Sequence, residues 1–159
     1  MKNSSKGFTL IELLIVMAVI AILIAIAIPS FRGMQLEAKK ARAQGDLQVL
    51  KVAVESYYKN NSKYPVETTN TGKTISTNWQ SVLTGATPKI VNNVLNDPFT
   101  AGGATQYRYV LSANDETKAN FYLIWSVGVD AATTITGLSD ATGVVAGGAG
   151  DDLTESNGK

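Results

Sequence analysis

Residues Phe8–Ile28, FTLIELLIVMAVIAILIAIAI, form the most informative stretch of this chain of 159 residues. Every residue from Leu13 to Ile28 is apolar, and only Glu12 interrupts the run back to Leu10. About 19 residues, at a rise of about 1.5 Å per residue, give roughly 28 Å of helix, which matches one bilayer core. Because apolar side chains lie all round this helix, we expect lipid or copies of the same helix to cover them.

A short polar leader with two lysines, Met1–Gly7 (MKNSSKG), comes before the apolar run, which starts abruptly at Phe8. The sequence Gly7–Leu14, GFTLIELL, followed by a long apolar helix and by Pro29, resembles the N-terminal signature of type IV pilins and type II secretion pseudopilins. The resemblance implies that a prepilin peptidase cleaves the chain between Gly7 and Phe8 and that Phe8 becomes N-methylated. The alternative is a secretory signal peptide, although such peptides have a shorter apolar region of about 7–15 residues.

Glu12 is the charged residue inside the apolar run. A carboxylate among hydrocarbon costs about 2.5–3.5 kcal/mol, so such residues usually have a partner or reach water. One interpretation is that Glu12 lies near the membrane interface and extends to water. The resemblance implies another, in which Glu12 pairs with the Phe8 amine of a neighbouring subunit and so recruits that subunit.

The distribution of positive charge bears on the orientation of the span. Lys2 and Lys6 precede it, whereas Arg32, Lys39, Lys40 and Arg42 follow it. By itself, the positive-inside rule slightly favours a cytoplasmic C-terminal domain. The resemblance implies the opposite orientation, with a cytoplasmic leader, a single pass through the inner membrane and a globular domain in the periplasm. We follow the resemblance.

The composition excludes several classes of function. The chain has a formal net charge of +1, no cysteine and no histidine. The balanced charge gives no field for nucleic acid, and we expect no nucleic-acid partner. Without cysteine and histidine there is no disulfide, no thiolate metal site and no imidazole base, so we expect a protein that is not an enzyme. Many Gram-negative type IV pilins carry a C-terminal disulfide, so its absence favours the pseudopilin branch of the resemblance.

Beyond Pro29 the pattern changes from uniformly apolar to amphipathic. Apolar residues recur at helical spacing, with polar residues that include Asp46, Lys51 and Glu55 on the other face. Pro29 lacks an N–H, so we expect a kink or local loosening there and not the end of the helix. We predict one helix of about 50 residues. Its membrane and filament-core part covers residues 8–29, and its amphipathic continuation covers residues 30–62.

The remaining residues, 63–159, alternate polar loops with short apolar patches. The patterns predict two helical turns and three strands, at Trp79–Leu83, Ile90–Leu95, Tyr107–Leu111, Phe121–Val129 and Thr134–Thr136. We expect Tyr107, Tyr109 and Leu111 to share one face of the sheet. The predicted fold class is α+β, with a long N-terminal helix, transmembrane in its first half, packed on a small antiparallel sheet as in pilins.

The C-terminal loop is acidic and rich in glycine. Resemblance to major pseudopilins implies one Ca²⁺ in the loop after the last long strand. Calcium takes about 6–8 oxygen ligands, and glycine lets backbone carbonyls converge on an ion. The expected side-chain ligands are Asp130, Asp151 and Asp152, with Asp140 in reserve. The alternative is a plain solvated tail.

Taken with the resemblance, these features predict a structural subunit that polymerises as a homo-oligomer into a periplasmic pseudopilus of a type II secretion system. The implied partners are the membrane, a prepilin peptidase, an inner-membrane assembly platform and minor pseudopilins. Two alternatives remain open: a type IV pilin of a surface filament, and a monomeric membrane-tethered binding domain.

Overall fold

The computed structural model describes residues 7–67, 73–132, 134–147 and 150–157; leader residues 1–6 therefore lie outside the described part. The chain divides into two compact units, Met1–Ala38 and Lys39–Lys159. Its helices and strands, in chain order, are α1 (Leu10–Asn61), α2 (Gln80–Thr84), β1 (Arg108–Leu111), β2 (Tyr122–Ser126), β3 (Gly137–Leu138), β4 (Val145–Ala146) and β5 (Leu153–Ser156). A short 3-10 turn covers Ala101–Gly103.

Helix α1 confirms the prediction of one long helix, because it begins at Leu10, ends at Asn61 and contains Pro29 in its interior. Among the described residues it is the one helix long and apolar enough to cross a membrane. The apolar window that meets this test has no buried residue within the chain. In the first unit, therefore, the rest of the chain buries none of the residues in this apolar window.

The second unit contains the sheet. Strands β1, β2 and β5 form an antiparallel sheet in the order β1-β2-β5. Arg108 lies opposite Trp125 in the first pair, and Leu123 lies opposite Ser156 in the second. Strands β3 and β4 pair separately as a small antiparallel ladder. The predicted α+β fold with a small antiparallel sheet is confirmed.

Each face of the sheet has its own apolar core, because successive strand residues point to opposite sides. On the helix side, Tyr109 and Ile124 lie in the cluster that contains the buried residues of α1, which are Ala43, Leu47, Leu50, Ala53 and Val54. On the other side, Val110 and Trp125 lie with Leu138 of β3. The predicted face of alternating tyrosines is therefore present, and the central strand β2 is covered on both sides.

Polar side chains of α1 also contact the sheet. The Tyr107 hydroxyl donates to Asp46 at 2.9 Å, and the Tyr122 hydroxyl donates to Glu55 at 2.8 Å. Lys51 pairs with Glu155 of β5 at 3.0 Å. The sequence pattern put Asp46, Lys51 and Glu55 on the face away from the apolar stripe, yet all three reach the sheet. Side chains at the edge of an apolar stripe can reach the sheet in this way, because their apolar parts lie along the stripe while their polar ends find partners at its margin.

Two local predictions are wrong. The predicted helical turn at Ile90–Leu95 is absent, because the Gln80 side chain accepts from the Leu95 N–H and donates to the Leu95 carbonyl, both at 2.8 Å. These bonds satisfy the backbone without a helix. The predicted edge strand at Thr134–Thr136 is also absent; its place is taken by β3, which begins at Gly137.

Asp97 is a fully buried carboxylate that joins the loop before β1 to the end of β2. Its Oδ1 accepts from the Phe99 N–H at 2.9 Å and from the Ser126 hydroxyl at 2.8 Å. Its Oδ2 accepts from the Val127 N–H at 2.9 Å. A buried carboxylate is tolerated only when such donors replace water, so Asp97 fixes the position of the exit from β2.

We predict that Asp97→Ala lowers the free energy of unfolding by on the order of 3 kcal/mol, because it leaves buried donors of Ser126 and Val127 without an acceptor. Chemical denaturation of the full chain in detergent measures this loss. The control is Asp115→Ala, since Asp115 accepts only from nearby Thr117 and Lys118 in the hydrogen bonds described for it. Equal losses in the two variants would contradict the role given to Asp97.

Candidate functional site

The predicted processing site lies just before α1. Gly7, Phe8 and Thr9 have no regular secondary structure, and the Phe8 side chain is 83% exposed. A peptide bond outside a helix has no helical hydrogen bonds to break before a peptidase can bind it as an extended strand. The Gly7–Phe8 bond is therefore placed where cleavage is physically easy, and cleavage itself stays a prediction.

Glu12 and Thr9 cap the start of α1 reciprocally. The backbone N–H and the hydroxyl of Thr9 donate to Oε2 of Glu12 at 2.8 and 2.6 Å. The Glu12 N–H in turn donates to the Thr9 hydroxyl oxygen at 3.3 Å. This is a capping box, with Thr9 at the N-cap and Glu12 three residues later. The T-x-x-E spacing is a signal for this cap in the sequence, and neither interpretation of Glu12 drawn from the sequence, water or a neighbouring amine, includes it.

The capping box changes how Glu12 can be understood. In hydrocarbon, two donors from Thr9 offset part of the cost of holding the carboxylate. The described bonds use Oε2, so a charged group of another chain can approach the other oxygen without first breaking the cap. Capping and pairing with a neighbouring amine are therefore compatible roles for Glu12.

The second unit has an apolar groove on the exposed side of α1. Its volume is about 500 Å³, and it is lined by Gly45, Gln48, Val49, Val52, Ala53 and Ser56 of the helix and by Ile90, Val91 and Asn92. Val49 and Val52 are 54% and 65% exposed. None of the lining residues is charged, so the groove suits an apolar partner.

Asp151 closes the C-terminal segment against the end of β2. Its Oδ2 accepts from the N–H groups of Val129 and Asp130, the second at 3.1 Å. Gly128 permits this approach, because its φ is +70° and a Cβ there would lie 2.5 Å from the Asp151 carbonyl oxygen. Asp130 in turn accepts from the Ala132 N–H at 2.9 Å through its own Oδ1. Two of the predicted calcium ligands, Asp130 and Asp151, therefore lie together.

The other two predicted ligands have different hydrogen-bond partners. Asp152 accepts from the Thr134 N–H at 3.4 Å. Asp140 accepts from the Ser112 hydroxyl at 2.6 Å, at the opposite end of β2 from Asp151. Among the residues that the structure describes, no group of three or more acidic, histidine or cysteine side chains could hold a metal. The structure therefore does not bring the four aspartates together into one site, and Asp140 lies apart from Asp151.

Strand β5 shows that the C-terminal segment is not a plain tail. Besides its pairing with β2, it is followed by Asn157, which accepts from the Tyr122 N–H at 2.8 Å. The Asn157 amide donates to the Tyr64 hydroxyl at 2.9 Å and to the Asn120 carbonyl at 3.1 Å. The sequence pattern missed this strand, because the four residues of β5 alternate weakly and follow a glycine-rich stretch.

Comparisons with known proteins agree with the geometry of the N-terminus. Residues 2–28 match the family model described as "Prokaryotic N-terminal methylation motif". The "Fimbrial protein" of Neisseria meningitidis serogroup B is 33% identical over 126 residues, which cover 79% of this chain and 68% of that protein. The chain belongs to the type IV pilin superfamily.

Other relatives match a shorter part of this pilin-family chain. The "Type IV major pilin protein PilA" of Myxococcus xanthus is 45% identical over 60 residues, or 38% of this chain. The "Type IV major pilin protein PilE1" of Neisseria gonorrhoeae is 40% identical over 72 residues, or 45% of this chain. The chain spans 27% and 44% of the lengths of these two proteins. No solved structure matches the chain. The names of these relatives describe pilins and a fimbrial protein and not enzymes, in agreement with the prediction of a protein that is not an enzyme.

We predict that protonation of Asp151 releases the end of β2 at low pH. Desolvation is the largest single influence and raises the pKa of Asp151, but the hydrogen bonds that the carboxylate accepts, chiefly from the N–H groups of Asp130 and Val129, together outweigh it and hold the pKa below its ordinary value of 3.8. A lowered pKa stabilises the folded form above that ordinary value and loses this effect as pH falls through the lowered one. The amide NMR signals of Val129 and Asp130 should therefore titrate with a midpoint below 3.8. A midpoint above that value, or no titration, would show that the contact is not formed in solution.

Proposed function

We propose that this pilin-family protein is a membrane-anchored subunit that polymerises into a helical filament. The observation that carries the proposal is the first part of α1, whose large side chains stay exposed in the isolated chain, among them Ile20 at 44% and Leu23 at 61%. Lipid covers such a helix before assembly, and neighbouring copies of it cover the same surface afterwards. A monomeric tethered domain would explain the span, but not the relatedness to a fimbrial protein over most of the chain.

The class of filament is the finer question. The names of the relatives favour a type IV pilus on the cell surface. The absence of cysteine, and with it of a C-terminal disulfide, favours the pseudopilus of a type II secretion system. The two filaments require the same subunit chemistry and differ in whether the filament leaves the periplasm. We take the surface pilus as the first candidate, because 33% identity over 126 residues outweighs a missing disulfide.

Assembly starts, in this proposal, with cleavage of the Gly7–Phe8 bond by a prepilin peptidase. The new α-amino group of Phe8 carries a positive charge near the level of the Glu12 carboxylate, four residues along the chain. An inner-membrane assembly platform and minor subunits then add each copy from the membrane, with the globular domain in the periplasm. Pro29 lies inside α1, and its missing N–H gives the helix a point of local bending during this movement.

The groove beside Val49 and Val52 supports a contact between copies. It is apolar and uncharged, as is the surface of the helix from Leu13 to Ile28. Gly45 in its floor has open space around its Cβ position, and small residues let helices approach closely. The groove therefore suits an apolar helix of a second copy better than a charged partner.

We predict that the full chain, expressed with a prepilin peptidase and an assembly platform, forms filaments visible by electron microscopy. Intact-mass measurement of the same preparation should show loss of residues Met1–Gly7 and gain of one methyl group, as the N-methylation motif requires. A chain that stays monomeric in the membrane would refute the filament. A mass that retains the leader would refute the processing site.

Matched variants in the same assay separate the two roles of Glu12. Glu12→Gln keeps an acceptor for the Thr9 cap but removes the charge, whereas Thr9→Ala removes the two hydroxyl bonds of the cap and keeps the charge. If pairing with a neighbouring amine drives assembly, Glu12→Gln abolishes filaments and Thr9→Ala retains them. The reverse pattern would show that the cap alone matters and that no amine pairs with Glu12.

We propose further that Asp130 and Asp151 bind Ca²⁺ together with backbone carbonyls of their loop. The described hydrogen bonds use Oδ1 of Asp130 and Oδ2 of Asp151, so the second oxygen of each carboxylate can face an ion. Two carboxylates with several carbonyls satisfy a cation that accepts about 6–8 oxygens. Bound calcium would supply charge compensation between the two aspartates and hold the loop closed.

The thermal midpoint of the full chain in detergent tests the calcium proposal. Millimolar Ca²⁺ should raise the midpoint relative to a chelator, since a ligand that binds only the folded state stabilises it. The rise should persist in Asp140→Asn, which lies at the other end of β2, and disappear in Asp151→Asn. The same midpoint with calcium and with chelator in the unaltered chain would remove calcium from the loop.

A further inference from the structure

A second groove lies on the first unit, directly after the apolar run. Its volume is about 370 Å³, and it is lined by Ala27, Ile28, Phe31, Arg32 and Gln35. The chemistry changes in order along the helix: apolar residues come first, and a guanidinium and an amide come last. A phospholipid has the same order of chemistry, from acyl chain to headgroup.

The position of Arg32 fits the level of lipid headgroups. The continuous apolar run ends at Ile28, and four residues of α-helix advance by about 6 Å. Arg32 is the one cation among residues 7–38, and it is exposed. Phe31 and Met34 beside it are apolar and 59% and 63% exposed, so apolar surface is still present at the level where the first cationic side chain after the span appears.

We propose that this groove binds a phospholipid with an anionic headgroup in the leaflet at the outer end of the membrane span. The acyl chain lies along Ala27, Ile28 and Phe31, where it gains apolar contact. The phosphate accepts hydrogen bonds from the Arg32 guanidinium, whose planar donors match phosphate oxygens in pairs. The Gln35 amide is the second donor. The inference rests on the membrane insertion proposed above.

The charge of the headgroup decides between lipids that share a phosphate. Phosphatidylcholine carries its own cation next to the phosphate, and that cation is repelled by Arg32. Phosphatidylglycerol carries no cation, so its net negative charge is fully available to the guanidinium. A basic side chain near the membrane surface gains about fivefold in binding of an anionic lipid, which sets the size of the effect to expect.

The test uses the full chain in micelles that contain phosphatidylglycerol and phosphatidylcholine with identical acyl chains in equal amounts. Native mass spectrometry then measures which lipid stays bound. We expect enrichment of phosphatidylglycerol, a loss of about fivefold in that enrichment for Arg32→Gln and partial retention for Arg32→Lys. The matched control is Lys39→Gln, which removes the same charge from an exposed position seven residues later on α1 and should leave the enrichment unchanged.

Several results would overturn the inference. Equal retention of the two lipids by the unaltered chain would show that there is no headgroup preference. Equal losses in Arg32→Gln and Lys39→Gln would show general electrostatic attraction and not a groove. A bound inorganic phosphate, in micelles of phosphatidylcholine alone with added phosphate, would assign Arg32 to soluble anions. Absence of the unaltered chain from the membrane fraction would instead refute the membrane anchoring on which this inference rests. That outcome can be distinguished from the other three.

Discussion

The apolar surface of the first part of α1 is the constraint on which the rest of the structure depends. Large side chains from Phe8 to Met34 are 44% exposed or more in the isolated chain. At about 1.5–3 kcal/mol for each such side chain fully buried, the surface is worth on the order of 20 kcal/mol. A typical domain is stable by only about 5–15 kcal/mol, so this helix cannot remain in water. Lipid or other copies must cover it, and membrane anchoring and polymerisation are two solutions to the same problem.

The first part of helix α1 carries this exposed apolar surface, and its second part packs against the sheet. In the second unit, one stripe of the helix enters the core under the sheet, while Asp46, Lys51 and Glu55 bond to Tyr107, Glu155 and Tyr122. Burial raises the pKa of Tyr122 well above its ordinary value, so its hydroxyl keeps its proton and continues to donate to Glu55. The sheet is therefore held to the helix by apolar packing and by specific polar bonds. The face with Val49 and Val52 stays exposed.

The sequence predicted the features that depend on local periodicity. The long helix and the two main strands follow from residue spacing, and so does the face shared by Tyr109 and Leu111. What it missed depends on contacts between distant residues. Asp97 is 30 residues from its donor Val127, and β5 pairs with β2 across the intervening loops and the β3–β4 ladder. The Thr9–Glu12 cap is the exception, because its spacing was readable. The separation of Asp140 from Asp151 could not be read from the sequence, since both are aspartates in polar loops and only the fold puts them at opposite ends of β2.

The most direct measurement of whether the apolar helix is covered uses the absence of native cysteine. Leu23→Cys places a thiol in the middle of the exposed apolar surface, and Asn114→Cys places one in an exposed turn of the globular domain. A water-soluble maleimide should label Asn114→Cys rapidly in native membranes and in filaments. It should label Leu23→Cys far more slowly in both states. Labelling of Leu23→Cys as fast as that of Asn114→Cys would contradict the claim that lipid and neighbouring subunits cover this helix.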